Sequence, residues 1–312
     1  MTKELLERLR VNDVRFASRL MSDVENNVQS KDMNDLLYAH SLKAVRIGIT
    51  GPPGAGKSTL IDQLIDQFRK DGKTIGVVTV DPTSPFSGGS LLGDRIRMSQ
   101  HTLDKGVFVR SMGSRGMIGG LARKSHLLGE VLACTGKDYI LFETIGVGQA
   151  ETEIIQNVDI TIVVLVPEAG DEVQFMKAGP IEVADLFVVN KCDRDGAERV
   201  SELLSEYLQD GKEKGDNVPE IFLTSSTSGH GIEDLHEKAL TLIERFKSSG
   251  ELELRRERQY LKRVQGALRD ELVAQFWNGQ PELDMDAEIT ALRRAKKSPF
   301  TAAKYLVDSL NK

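Results

Sequence analysis

Val45-Arg46-Ile47-Gly48-Ile49-Thr50, Gly51-Pro52-Pro53-Gly54-Ala55-Gly56-Lys57-Ser58 and Thr59-Leu60-Ile61-Asp62-Gln63-Leu64 follow one another without a break. The first stretch reads as a buried strand and the last as the opening of a helix. The middle one fits G-x-x-x-x-G-K-[ST], a phosphate-binding loop. A strand, a glycine turn and a helix N-terminus together build an anion site. Glycines let backbone N–H groups point inward at phosphate oxygens, and the helix dipole adds positive potential. On this reading Gly51, Pro53, Gly54, Ala55, Gly56, Lys57, Ser58 and Thr59 contact a nucleoside triphosphate. Lys57 reaches the β- and γ-phosphates, and the Ser58 hydroxyl sits on Mg2+.

Outward from that loop the pattern is strand–helix alternation. Short β-branched runs lie at 45–50, 74–80, 107–110, 138–143, 159–166, 185–190 and 220–224. Val and Ile dominate several of them with little polar alternation, as in a sheet covered on both faces. The expected fold class is therefore α/β: a doubly wound, mostly parallel sheet of the P-loop NTPase type. Ligand is expected at the carboxyl ends of the strands. Residues 1–44 read as an N-terminal helical extension, with Leu5, Leu6, Leu9, Phe16 and Leu20 at roughly helical spacing. Residues 45–248 form the nucleotide domain. Residues 249–312 form a C-terminal helical region, in which Leu261, Val264, Leu268 and Leu272 make a stripe. That stripe packs either on the first domain or on another copy of the chain. Asn278-Gly279-Gln280-Pro281 breaks its helix.

Bulk properties narrow the function classes. The chain has 312 residues, 40% hydrophobic and 28% charged, with a net charge of −6. The negative balance disfavours nonspecific nucleic-acid binding. No apolar run approaches the roughly 20 residues that span a bilayer. Met1–Arg10 has no apolar signal core and carries acidic residues, against a signal or transit peptide. Cys134 and Cys192 are the only cysteines and are not spaced as a metal motif, so a reducing cytoplasm is expected.

Further constellations sit at strand ends. Asn190-Lys191-Cys192-Asp193 follows a strand, and N-K-x-D there reads guanine. The Asp193 carboxylate accepts from guanine N1–H and the exocyclic amine, donors that adenine does not offer in that geometry. Lys191 lays its aliphatic stem over the base, and Asn190 braces the phosphate loop. Thr224-Ser225-Ser226 ends the next strand, where a backbone N–H can meet guanine O6; a plain polar turn is the other reading. Glu143 ends the strand 138–143, where nucleotide triphosphatases commonly place an aspartate near the metal. The longer acid can act through a metal-bound water. Gly146 can sense the γ-phosphate. Gln149 either positions the attacking water or is a surface residue at a helix start. Asp81 ends the second strand, before the polar turn Pro82–Ser90, and Asp94, Arg95 and Arg97 follow. Asp81 and Asp94 position metal or water, or else cap and solvate a helix.

Taken together these segments resemble the methylmalonyl-CoA mutase-associated GTPases of the MeaB/ArgK type. The blocks that carry the resemblance are Gly51–Ser58, Val80–Ser84 through Gly88–Arg95, Arg110–Gly116, Glu143–Gln149 and Asn190–Asp193. The resemblance implies a GTPase of the same broad class as the signal-recognition and nickel-insertion GTPases. It implies a nucleotide-switched chaperone for an adenosylcobalamin-dependent acyl-CoA mutase, gating cofactor loading and protecting the mutase. It carries Lys57, Ser58, Asp81, Asp94 and Glu143 onto GTP- and Mg2+-handling positions, and Asp171 and Lys177 onto a switch loop that answers to the mutase. It also implies a homodimer with C-terminal helices at the interface. Pro180 departs from the family, standing where an apolar helix residue is usual; proline there shortens or kinks that helix. Arg95, Arg97 and Arg115 are the candidates for an arginine finger. Two other readings fit less of the chain. A metal-insertion GTPase wants a histidine-rich tract or a paired-cysteine cluster, whereas His40, His101, His126, His230 and His236 are scattered. A kinase of basic amino-acid transport finds no amino-acid site here.

Overall fold

Val45–Thr50 forms strand β1, and every one of its residues is buried. The reason is composition: β-branched side chains suit a pleated surface covered on both sides. The structure is a computed structural model. It describes residues 2–11, 13–26, 31–81, 101, 103–113, 120–144, 158–167, 184–210, 218–278 and isolated positions from 290 to 304. The other strands are β2 (Ile75–Asp81), β3 (Val107–Gly113), β4 (Tyr139–Glu143), β5 (Ile160–Leu165), β6 (Leu186–Asn190) and β7 (Glu220–Thr224). The helices are α1 (Thr2–Arg10), α2 (Val14–Glu25), α3 (Lys31–Ser41), α4 (Lys57–Lys70), α5 (Gly120–Cys134), α6 (Ala197–Asp210), α7 (Ile232–Ser249) and α8 (Glu251–Asn278).

The strands join in one seven-stranded sheet of order β3-β2-β4-β1-β5-β6-β7. Every pairing is parallel. From β1 the chain crosses to β2, moves out to β3 and returns to insert β4 beside β1. It then passes to β5 on the other side. The order therefore reverses at β1, and the crevice beyond its carboxyl end is where a ligand binds in such sheets.

Two hydrophobic layers cover the sheet. On one face Leu60, Ile61, Leu64, Ile65 and Phe68 of α4 and Leu235, Leu242, Ile243 and Phe246 of α7 pack on β1, β4 and β5. On the other, Leu128, Val131 and Leu132 of α5 pack with Val78, Phe108, Ile140 and Phe142 of the strands. Leu9, Leu20, Met21, Val24 and Leu37 of α1–α3 join this second cluster. The N-terminal helices are thus part of the core of the nucleotide-binding fold. Arg110 of β3 pins α2 at its carboxyl end through a 2.9 Å ion pair with Glu25, and Lys124 of α5 donates to the Glu25 carbonyl at 2.6 Å.

The chain divides into two compact units, Met1–Arg255 and Arg256–Lys312. In the second, Leu261, Val264, Leu268 and Leu272 of α8 are each about half exposed. No helix among the described residues is long and apolar enough to cross a membrane. Asp94, Arg95, Arg97, Arg115, Gly146, Gln149, Asp171, Lys177 and Pro180 lie outside the described residues, as does the side chain of Asp81.

Candidate functional site

Because all strands run the same way, Gly51, Asp81, Glu143, Asn190 and Thr224 come to one edge of the sheet. Gly51 leaves β1 with φ +146°, and a Cβ there would stand 2.0 Å from the Val164 carbonyl oxygen. Gly56 has φ +85°, and a Cβ would stand 2.5 Å from the Asn190 amide nitrogen. Both positions exclude a side chain, by conformation and by space at once. Gly54, at φ +79°, faces open space. Ala55 N–H closes the turn on the Pro52 carbonyl at 3.2 Å, and Pro53 at its tip is exposed. The helix α4 then starts at Lys57, with Gly56 as its cap and no side chain covering its first N–H groups. Helix-start N–H groups left without a side-chain cap are what an anion site uses. Thr59 follows in the first turn, half-buried.

The Lys57 ammonium folds over the loop, donating to the Gly51 carbonyl at 2.7 Å and the Pro52 carbonyl at 3.1 Å. Ser58 donates its hydroxyl to the Glu143 carboxylate at 2.6 Å. This short, buried, charge-assisted bond joins the first turn of α4 to the end of β4. Its direction has a chemical consequence. With its proton given to Glu143, the Ser58 oxygen keeps lone pairs for a hard cation. A hydroxyl, a carboxylate and phosphate oxygens are the donor set that Mg2+ takes with its remaining waters. Among the described residues no cluster of three or more His, Cys, Asp or Glu is placed to hold a metal by itself. Asp81 lies one strand further out: Thr79 pairs with Glu143, so the β2 backbone carries Asp81 beyond Glu143 along the same edge.

On the other side of β1 the centre of the site is Asn190. Its amide nitrogen donates to the Ala55 carbonyl at 2.8 Å. Its oxygen accepts from the Thr224 hydroxyl at 3.1 Å, the Ser226 N–H at 3.1 Å and the Ser226 hydroxyl at 2.9 Å. The orientation of the amide is unambiguous, because the Ala55 carbonyl can only accept and the Ser226 N–H can only donate. One buried side chain therefore ties the phosphate loop to the ends of β6 and β7. The Ser225 N–H bonds the His230 carbonyl at 3.1 Å. In the Ser225–Ser226 turn both backbone donors are engaged inside the protein, that of Ser226 with Asn190.

Lys191 has φ +60° and is the sole non-glycine residue with positive φ among those described. Such a conformation in a residue with a Cβ costs about 1–3 kcal/mol. It turns the chain sharply after β6, with Cys192 N–H bonded to the Thr224 carbonyl at 2.9 Å. Lys191 and Cys192 are half-buried and Asp193 is exposed beside the site. Burial raises the Cys192 thiol above its ordinary pKa, with the Asp193 charge a smaller cause.

One constellation was not apparent from the sequence. Thr144 follows Glu143, and Thr50 precedes Gly51. Both are buried, and the Thr144 hydroxyl donates to that of Thr50 at 2.9 Å. Two threonines closing apolar strands were the available signal, and nothing in the sequence showed that they meet.

With this geometry established, known proteins show a consistent likeness. The family model described as "Methylmalonyl Co-A mutase-associated GTPase MeaB" matches residues 18–281. A Pyrococcus horikoshii protein bearing the name "Putative GTPase" is 46% identical over 253 residues, covering 80% of each chain. The mouse protein named "Methylmalonic aciduria type A homolog, mitochondrial" is 36% identical over 219 residues, covering 69% of this chain and 53% of the other. The crystal structure of an LAO/AO transport system kinase superposes with a TM-score of 0.73, covering 100% of this chain and 98% of that one at 23% identity, a likeness of fold. The phosphate loop, the Ser58–Glu143 link and the Asn190 hub sit on a chain that belongs to the MeaB family of methylmalonyl-CoA mutase-associated GTPases.

Proposed function

We propose that this chain hydrolyses GTP to GDP and phosphate at the Gly51–Ser58 loop. We propose further that it uses the nucleotide state to gate cofactor loading into an adenosylcobalamin-dependent acyl-CoA mutase. The observation that carries the nucleotide part is the Asn190 side chain. It bonds the phosphate loop through Ala55 and stands beside the Lys191–Asp193 turn, so base and phosphate sites share one rigid support. The family description supports the mutase part.

In this reading the first N–H groups of α4 and the Lys57 ammonium bind the β- and γ-phosphates, with Lys57 exchanging its loop carbonyls for phosphate oxygens. Asp193 reads guanine and Lys191 covers the base. Ser58 and Glu143 hold Mg2+, with Asp81 and Asp94 as further oxygen ligands or water positioners. When bound, the metal neutralises charge on the phosphates. Gly146 answers to the γ-phosphate, and Gln149 orients the attacking water. Water attacks γ-phosphorus in line, and the protein contributes positioning and electrostatic stabilisation. Asp171 and Lys177 belong to the loop that answers to the mutase, in a homodimer of the cytoplasm.

The test is phosphate release with and without a purified adenosylcobalamin-dependent acyl-CoA mutase. Coupling of the usual size, about 5–150-fold, is expected between mutase and nucleotide. A rate that no such mutase alters, including one encoded nearby, removes the chaperone role and leaves hydrolysis standing.

A further inference from the structure

Thr50 and Thr144 place two buried hydroxyls at the ends of otherwise apolar stretches. β1 and β4 are otherwise built from Val, Ile, Leu, Phe and Tyr, apart from Arg46, Gly48 and the terminal Glu143. The registered ladder between them ends at Ile49 with Glu143. One step later Thr144 N–H still bonds the Ile49 carbonyl at 3.2 Å, while Thr50, like Ile47–Ile49 before it, pairs with β5 on the other side of β1, at Val163. The hydroxyl bond at 2.9 Å thus spans the two strands where their backbones begin to part. Thr50 is the residue before the phosphate loop, and Thr144 is the residue after the acid that accepts from Ser58 at 2.6 Å. Threonine is stiff at χ1, so a bond between two such hydroxyls fixes both Cα positions.

We propose that Thr144, through Thr50, is a positioning residue for GTP hydrolysis: the pair sets the Glu143 carboxylate against Ser58. This rests on the reading of Ser58 and Glu143 as the cation-holding pair.

The variants are Thr144→Val, Thr144→Ser, Thr50→Val, the double valine and Glu143→Gln, each assayed for kcat, KM for GTP, GDP affinity and thermal unfolding. Valine keeps the volume and removes the hydroxyl. Losing one buried hydrogen bond at a reacting centre corresponds to about a tenfold fall in kcat. Thr144→Val is expected to show that fall with GDP affinity within about twofold, and Thr144→Ser to restore most of it. The double valine removes both hydroxyls together, so that neither is left facing a methyl group, and its kcat stays low. Recovery of kcat in the double valine overturns the proposal, since the pair then acts through stability alone. Unchanged kcat in Thr144→Val overturns it as well, provided that Glu143→Gln is impaired. If Glu143→Gln is itself silent, the reading of the cation site fails, and the proposal with it.

Discussion

The two edges of the sheet handle buried polarity in opposite ways. At the amino edge an aspartate precedes each of β4, β5 and β6 and caps the neighbouring strand. Asp138 accepts from Thr74 N–H at 2.7 Å, Asp159 from Arg46 N–H at 2.8 Å and Asp185 from Thr161 N–H at 2.8 Å. Arg255 closes one of these with a 2.8 Å ion pair to Asp185 and another to Glu251, while its guanidinium lies 4.1 Å over the Phe246 ring. Arg69 holds Asp104 through two hydrogen bonds, at 2.8 and 3.1 Å. Each acid there is satisfied by fixed protein groups. At the carboxyl edge Lys57 rests on backbone carbonyls, Glu143 on a hydroxyl and Asn190 on a loop. Those partners can be exchanged for phosphate oxygens or a metal without leaving an opposite charge stranded. The amino edge holds register with acids bonded to fixed backbone N–H groups and, at Asp104 and Asp185, to arginines, whereas the carboxyl edge is closed by neutral groups that can give way to a charged ligand.

The sharpest way to break the comparison is to remove a cation from each edge. Lys57→Ala should lower kcat by about a thousandfold, the scale of a lost electrostatic group at developing phosphate charge. Its unfolding midpoint should barely move. Wild-type turnover in this variant would contradict the role given to Lys57.

Arg255→Ala should do the reverse, losing about 2–3 kcal/mol of stability with GTP affinity retained. Burial raises the Asp185 pKa, and Arg255 opposes that rise. Without Arg255 the folded-state pKa climbs further, so the folded protein binds a proton more readily than the unfolded chain. Its stability therefore falls as pH rises through the folded pKa, and the deficit is largest at neutral pH and shrinks on acidification. Urea unfolding at neutral and mildly acidic pH reads this directly; a deficit that grows on acidification refutes the account.

Asp193→Asn sharpens the base side. The amide cannot accept from both guanine donors, so preference for guanine over xanthine nucleotides should drop by about tenfold or more. Competition binding decides it, and undiminished discrimination rejects the guanine contact.

The smallest effect belongs to Arg69 and Asp104. The Arg69 hydrogen bonds hold the Asp104 pKa below its ordinary 3.8. The pair's contribution is fully present above that value and is lost as pH falls through the folded pKa. Both side chains are about one-third exposed, so Arg69→Ala should cost only about 0.5–1 kcal/mol at neutral pH. The variant and the parent should converge as pH falls through the lowered Asp104 pKa; a gap that does not narrow on acidification breaks the assignment.

Much of this edge was legible in the sequence, because its signals are local. Gly51, Gly56 and Lys57 announce a turn whose backbone geometry few other residues allow, and the apolar runs around them mark strands by composition. Asn190 was readable as a brace for the phosphate loop, since N-K-x-D after a strand is a short-range pattern. The Thr224 and Ser226 donors that hold the Asn190 oxygen were not, because their role depends on β7 pairing beside β6. The same holds for Arg110, whose partner Glu25 belongs to a helix far back in the chain. The aspartates at the amino edge carried no signal beyond that of ordinary turn residues.

The sequence by itself determined that the chain makes parallel strands separated by helices, that one turn takes phosphate, and that the next acidic and amide residues stand at strand ends. Those conclusions follow from backbone sterics and side-chain periodicity within a few residues. Only the tertiary structure decided which strands are neighbours. Inserting β4 between β2 and β1 brings Glu143 to Ser58 and Thr144 to Thr50. Packing the sheet on α4 and α7 lets Asn190 reach Ala55. Long-range pairing is set by the summed burial of whole faces, which no local stretch of sequence encodes.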